Sequence, residues 1–150
     1  MASAYWAAFA PAFIRDSQAG FAAEFARLAA QKRWNPRSKA WRRERIRCYS
    51  QEFEALYGAS DKLEGWVLLC AEVGAKEIPA SKTQAKKILN RTWVNLVDLM
   101  ECRATANPVF THRSRDALRD YTIGEDKIFP KKAAKKNGFL SVLLIHVFSS

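Results

Sequence analysis

The stretch that settles the fold reads SKAWRRERIRCYSQEFEALYG, residues 38–58. Ser38 has the chemistry of an N-cap, a hydroxyl that can accept from a free N–H of the first helical turn. Ile46, Tyr49, Phe53 and Leu56 follow at spacings that place them on one helical face. Gly58 comes directly after Tyr57, where a glycine can stop a helix in the left-handed conformation at little cost. The segment therefore predicts a long helix ending near Tyr57. Its first half also carries Lys39, Arg42, Arg43, Arg45 and Arg47 against Glu44.

Upstream, Asp16 or Ser17 is placed to cap a helix running to about Arg33, with Phe21, Phe25 and Leu28 on one face. Asn35-Pro36 then breaks the chain, because proline restricts the residue before it. Downstream, Asp61 and Glu64 have capping-box spacing, Asp being a weaker match than Ser or Thr. A third helix follows with Leu63, Trp66, Val67, Cys70 and Val73, and stops at Gly74. Ala75 to Ala80, with Pro79, form a turn. Ser81 and Gln84 make a cleaner capping box for a helix to about Asn90. Trp93 to Cys102 reads as helix, although Val94, Leu96 and Val97 also suit a strand. Asn107-Pro108 opens a loop, and a short helix covers Ser114 to Tyr121. Pro130 fits the first turn of a final helix to about Val147, weakened at Gly138.

The expected architecture is all-α, a compact bundle of six to seven helices. The 150 residues suit one domain, with an aromatic N-terminal arm (1–15) and a helical core (16–148). Hydrophobic residues make up 49% of the chain, including five Trp and nine Phe, which argues against a disordered protein.

The net charge of +10 is unevenly distributed. Residues 31–47 hold eight cations against one acid, net +7: Lys32, Arg33, Arg37, Lys39, Arg42, Arg43, Arg45 and Arg47 against Glu44. Residues 76–91 are net +4, with Lys76, Lys82, Lys86, Lys87 and Arg91 against Glu77. Residues 127–136 are net +5, with Lys127, Lys131, Lys132, Lys135 and Lys136 and no acid. The rest of the chain is net −6. Clustered cations attract polyanions, and neutralised phosphates release counterions. Trp34 and Trp41 stand inside the first cluster, where an exposed indole can stack on a base; the alternative is that both anchor the second helix to the core. Lys32-Arg33 and Arg42-Arg43-Glu44-Arg45 also have the form of a bipartite nuclear import signal with a short spacer.

Residues 62–90 are consistent with a helix-turn-helix-like core. Its second helix would present Lys82, Gln84, Lys86 and Lys87, with Gln84 suited to adenine and the lysines to phosphate or guanine. The six residues between Gly74 and Ser81 exceed the usual turn of three or four, and ordinary bundle packing accounts for the same pattern.

Little in the chain points to catalysis. His112 and His146 are its only histidines, and neither has metal-ligand spacing. P-loop, G-x-G-x-x-G and G-x-S-x-G patterns do not occur. Cys48, Cys70 and Cys102 are odd in number and far apart, which speaks against a disulfide framework. The longest apolar run, Phe139 to Phe148, is too short for a membrane span, and the N-terminus lacks the basic start of a signal peptide. No enzyme activity, cofactor, metal or membrane association is expected.

An ordered set of short motifs adds a resemblance. It consists of residues 21–29 (FAAEFARLA), Glu52-Phe53, Tyr57-Gly58, Trp66, Leu69-Cys70, Val73-Gly74, residues 94–99 (VNLVDL), Tyr121-Thr122 and residues 129–135 (FPKKAAK). Taken together over residues 6 to 148, it resembles a type of small basic helical protein from filamentous fungi. The resemblance implies one helical domain and carries over no catalytic or binding residue.

The sequence thus predicts a non-enzymatic nuclear regulatory protein that binds DNA or RNA. Its contacts would be Lys32, Arg33, Arg37, Lys39, Arg42, Arg43, Arg45, Lys82, Gln84, Lys86, Lys87, Arg91, Lys131, Lys132, Lys135 and Lys136. The alternative is a protein-interaction module or effector that docks acidic partner surfaces, anchored by Tyr5, Trp6, Phe9 and Phe13.

Overall fold

The computed structural model describes residues 3–58 and 61–135. Among these, a 3-10 helix spans Ala4–Phe9 and seven α-helices follow: α1 Phe21–Lys32, α2 Lys39–Tyr57, α3 Leu63–Glu72, α4 Lys82–Leu89, α5 Leu96–Ala104, α6 Arg115–Gly124 and α7 Lys131–Lys135. Two short strands, β1 Trp93–Val94 and β2 Thr111–His112, pair antiparallel with Trp93 opposite His112. The all-α expectation holds, with this one small ribbon added. The predicted final helix is described only to Lys135, and its continuation to Val147 lies outside the described residues.

α2 is the axis of the molecule. The 3-10 helix, α1, α3, α5 and α7 all pack on it. Its 19 residues give it a length of about 28 Å. Tyr49 meets Phe21 at 4.8 Å between ring centroids and Phe129 at 5.5 Å. Phe53, Leu28, Leu69, Leu89 and Met100 are fully buried around this axis.

Three serine caps form as their local chemistry requires. Ser38 Oγ accepts from Trp41 N–H (3.2 Å), Ser81 Oγ from Gln84 N–H (3.2 Å) and Ser114 Oγ from Ala117 N–H (3.1 Å). Two other expected starts are corrected. α1 begins at Phe21, because Asp16 Oδ1 accepts from Gln18 N–H and Asp16 N–H donates to Glu24 Oε2, closing a turn ahead of the helix. α3 has Lys62 at its N-cap position and no side-chain cap, so Asp61 and Glu64 form no capping box. The ambiguous 93–102 segment divides into β1 and α5 at Asn95. Its Oδ1 accepts from Asp98 N–H (3.0 Å), and its amide donates to Thr122 Oγ1 and the Lys127 carbonyl, both at 3.1 Å. Gly58 ends α2 at φ +75, ψ −157, a region open to glycine but distinct from the left-handed helical one.

The buried face of α2 is rotated from the expected stripe. Ile46 and Leu56 are only partly buried, whereas Glu44, Cys48 and Glu52 are buried at i, i+4 and i+8. The N-terminal arm explains this. Tyr5 OH donates to Glu44 Oε2 (3.3 Å), Ser3 Oγ donates to Glu52 Oε1 (3.3 Å), and the Trp6 indole N–H donates to that same oxygen. Buried carboxylates demand such donors. Tyr5, Trp6 and Phe13 are 3%, 5% and 2% exposed, and Phe9 packs on Trp34. The expectation that these four aromatics anchor a partner is therefore corrected: Tyr5, Trp6 and Phe13 are buried in the core, and Phe9 is half-buried against it.

Candidate nucleic-acid interface

α1 and α2 meet at a corner built by local hydrogen bonding. Arg33 takes the left-handed conformation (φ 58, ψ 36), Trp34 N–H reaches back to the Ala29 carbonyl (2.9 Å) and Arg33 N–H to that of Ala30 (3.2 Å). This is a Schellman closure with an arginine where glycine is usual. Asn35 Oδ1 then accepts from Arg37 N–H (2.8 Å), and the Asn35 carbonyl accepts from Ser38 N–H (2.8 Å) and its hydroxyl (2.6 Å). Ser38 in turn caps α2 at Trp41. One continuous set of bonds fixes both Trp34 and Trp41.

The two indoles line a cleft of about 530 Å³ between the helices. Ala22, Ala26, Ala29 and Ala30 of α1 leave it open because they have almost no side chain, and Pro36, Tyr49, Arg45 and Asp126 complete it. Phe25 is buried beneath, with centroids 6.3 Å from Trp34 and 6.0 Å from Trp41. Trp34 and Trp41 are themselves only partly buried. They belong at once to the core's edge and to a surface recess.

In the chain that forms this corner, Lys32, Arg33, Arg37, Lys39, Arg42 and Arg43 are exposed, none of them among the residues that line the cleft. Among the described residues, the ion pairs are made instead by Arg15, Arg27, Arg47, Arg103 and Lys127. The six exposed cations therefore stand without carboxylate partners there. Arg45 differs from them. Its guanidinium lies over Tyr49 (4.7 Å) and Trp41 (5.5 Å) and donates to the Ile128 carbonyl. It shapes the cleft wall.

The three basic segments fall at two places along α2. The approach to α7 joins the first, through Ile128 on Arg45 and Phe129 on Tyr49, and Lys131 and Lys132 are exposed beside it. Lys135 is the last described residue of α7, and Lys136 lies outside the described residues. Lys127 is withdrawn into an ion pair with Asp98 (2.8 Å) and a bond to Tyr121 OH (2.9 Å), both of which push its pKa up.

The second segment sits elsewhere. α4 packs on α3, with Cys70 Sγ near the Ala85 carbonyl and Lys86 over the Trp66 ring at 5.6 Å. The end of α3 lies by Tyr57, since Arg103 both pairs with Glu72 and covers the Tyr57 ring. Tyr57 is fifteen residues along α2 from Arg42, about 22 Å. Lys86, Lys87 and Arg91 are exposed there and Lys82 half-buried. α3 and α4 pair as a helix-turn-helix reading needs, but nine residues separate them. The Gln84 carboxamide oxygen already accepts from Ala80 N–H (2.9 Å), which ties the side chain to the cap.

Among the described residues, no group of side chains is arranged to hold a metal ion, and no helix is long and apolar enough to cross a membrane. His112 packs between Phe110 and Tyr121, and burial lowers its pKa while Asp98 opposes that shift. His146 lies outside the described residues. The cleft itself was not anticipated. Its signal is the alanine-rich face of α1 read together with Trp34 and Trp41. No protein-family model, curated protein or solved structure matches the chain.

Proposed function

We propose that the chain is a non-enzymatic regulatory protein of the nucleus that binds nucleic acid at the α1–α2 corner. The single observation carrying this reading is the set of six exposed cations, Lys32, Arg33, Arg37, Lys39, Arg42 and Arg43, without carboxylate partners among the described residues. Like charges held this close repel one another, and a phosphate backbone relieves that repulsion. Lys131 and Lys132 extend the same surface. The α4 lysines form a separate, auxiliary patch, and Gln84 takes no part in reading bases.

The rival reading, docking of an acidic protein surface, keeps the same cations but loses its aromatic anchor to the core. Fluorescence anisotropy with a labelled duplex of random sequence separates the two. Six phosphate contacts predict a fall in affinity of about a thousandfold between 50 and 200 mM salt. Absence of binding at low salt, or poly-glutamate binding as tightly as the duplex, contradicts the proposal.

A further inference from the structure

We propose that the cleft between α1 and α2 receives one unpaired nucleobase, so that the chain prefers single-stranded to duplex nucleic acid. This inference rests on the nucleic-acid reading and deepens it by naming the form of ligand. Phosphate contacts alone favour no strand state. The cleft adds what they lack: a recess with two partly exposed indoles in its walls, a phenyl ring beneath them and small alanines opposite. Stacking on such surfaces is tolerant of base identity, because every base has a π-face. A base inside a duplex is already stacked and has to be extruded before it can enter.

The charge arrangement sets the ligand's orientation. Asp126 is the one acid among the cleft-lining residues. Arg45, the cation in the same lining, is held over Trp41 and Tyr49 and on the Ile128 carbonyl, and the Asp126 carboxylate offers an acceptor to the exocyclic amino group of a base. Arg33, Arg37, Arg42 and Arg43 are exposed on the same corner and outside the cleft lining, and phosphates are attracted there. A base directed inward with its backbone along these cations satisfies both. The backbone at both tryptophans is held by the Schellman closure and the Ser38 cap, and their rings pack on Phe25, so the cleft is organised without a ligand.

The test compares labelled oligodeoxycytidine with a duplex of equal length at one salt concentration, following anisotropy and intrinsic tryptophan fluorescence. Removing Trp34 risks the fold, because it packs on Phe9 and Phe25. The cleft is filled instead with Ala26→Leu or Ala30→Leu, at exposed positions of α1 where leucine suits a helix and alters no charge. The expected result is tryptophan quenching by the single strand and a preference for it of about tenfold, the scale of one base–aromatic stack. Both variants lose the preference yet keep wild-type duplex affinity. Equal affinity for strand and duplex, or a preference that survives in both variants, overturns this inference and leaves phosphate binding standing. Failure of the wild type to bind either probe overturns both.

Discussion

Glu52 ties the N-terminal arm to the axis of the fold, and its replacement gives a sharp test of that arrangement. The residue is 5% exposed. Its Oε1 accepts from the Trp6 indole and from Ser3 Oγ, and Arg15 Nε lies 3.9 Å away. Glu52→Ala leaves the indole N–H without its acceptor and the Arg15 guanidinium, which lies against the Trp6 ring, without its counter-charge. Removing one member of a buried ionic cluster costs about 3–5 kcal/mol. For a chain of this length that corresponds to a fall in Tm of roughly 10–15 °C. Glu52→Gln keeps an acceptor of the same shape and loses only the charge assistance, about 1–2 kcal/mol. Urea unfolding followed by tryptophan fluorescence measures both, because Trp6 reports on the arm. If Glu52→Ala stays within about 0.5 kcal/mol of wild type, the range of an ordinary surface substitution, the arm is not held as described.

Three further outcomes are expected. The Tyr57 hydroxyl is buried without a hydrogen-bond partner among the described residues, so Tyr57→Phe raises stability by about 1 kcal/mol in the same unfolding assay, and a loss of stability refutes the assignment. Asn95→Ala removes the α5 cap together with the bonds to Thr122 and the Lys127 carbonyl, lowering stability by about 2–4 kcal/mol, and Asn95→Asp, which keeps the cap acceptor but sets a buried carboxylate against the Lys127 carbonyl, is no milder. The Glu24 carboxyl is held below its ordinary pKa by the Arg27 side chain and, against the opposing effect of burial, by Asp16 N–H. Its stabilisation is therefore complete above the ordinary carboxyl pKa and is lost as pH falls through the lowered one. Stability curves from neutral to acid pH should fall less for Glu24→Gln than for wild type, and parallel curves count against the pairing.

What the sequence made legible was local chemistry. Ser38, Ser81 and Ser114 cap helices because hydroxyl and N–H lie within one turn of each other, so chain spacing alone locates them. The Asp16–Ser17 start failed because a distant partner, Glu24, engages the Asp16 backbone in a turn. β1 was half-visible as the strand alternative at Val94, but its partner lies beyond α5 and a loop, where no local rule reaches. Glu44 and Glu52 lie on a basic helix where local pattern gives no sign of burial, and only the docked arm, with its indole, phenol and hydroxyl donors, makes their burial tolerable. At the α1–α2 corner, composition found the cations but could not distinguish exposed Arg42 and Arg43 from Arg45, which packs on two rings and a carbonyl. Nor could it place α4 at the far end of α2, because that depends on α3.

The central claim is that nucleic acid sits at the α1–α2 corner rather than at α4. It is tested most directly by measuring the salt dependence of duplex affinity for two charge-reversal variants at exposed positions. Arg42→Glu/Arg43→Glu should weaken binding and flatten the log–log slope by about 2, one for each phosphate that is no longer neutralised. Lys86→Glu/Lys87→Glu should leave that slope near the wild-type value. The reverse pattern, a slope flattened by the α4 pair and untouched by the α2 pair, contradicts the account.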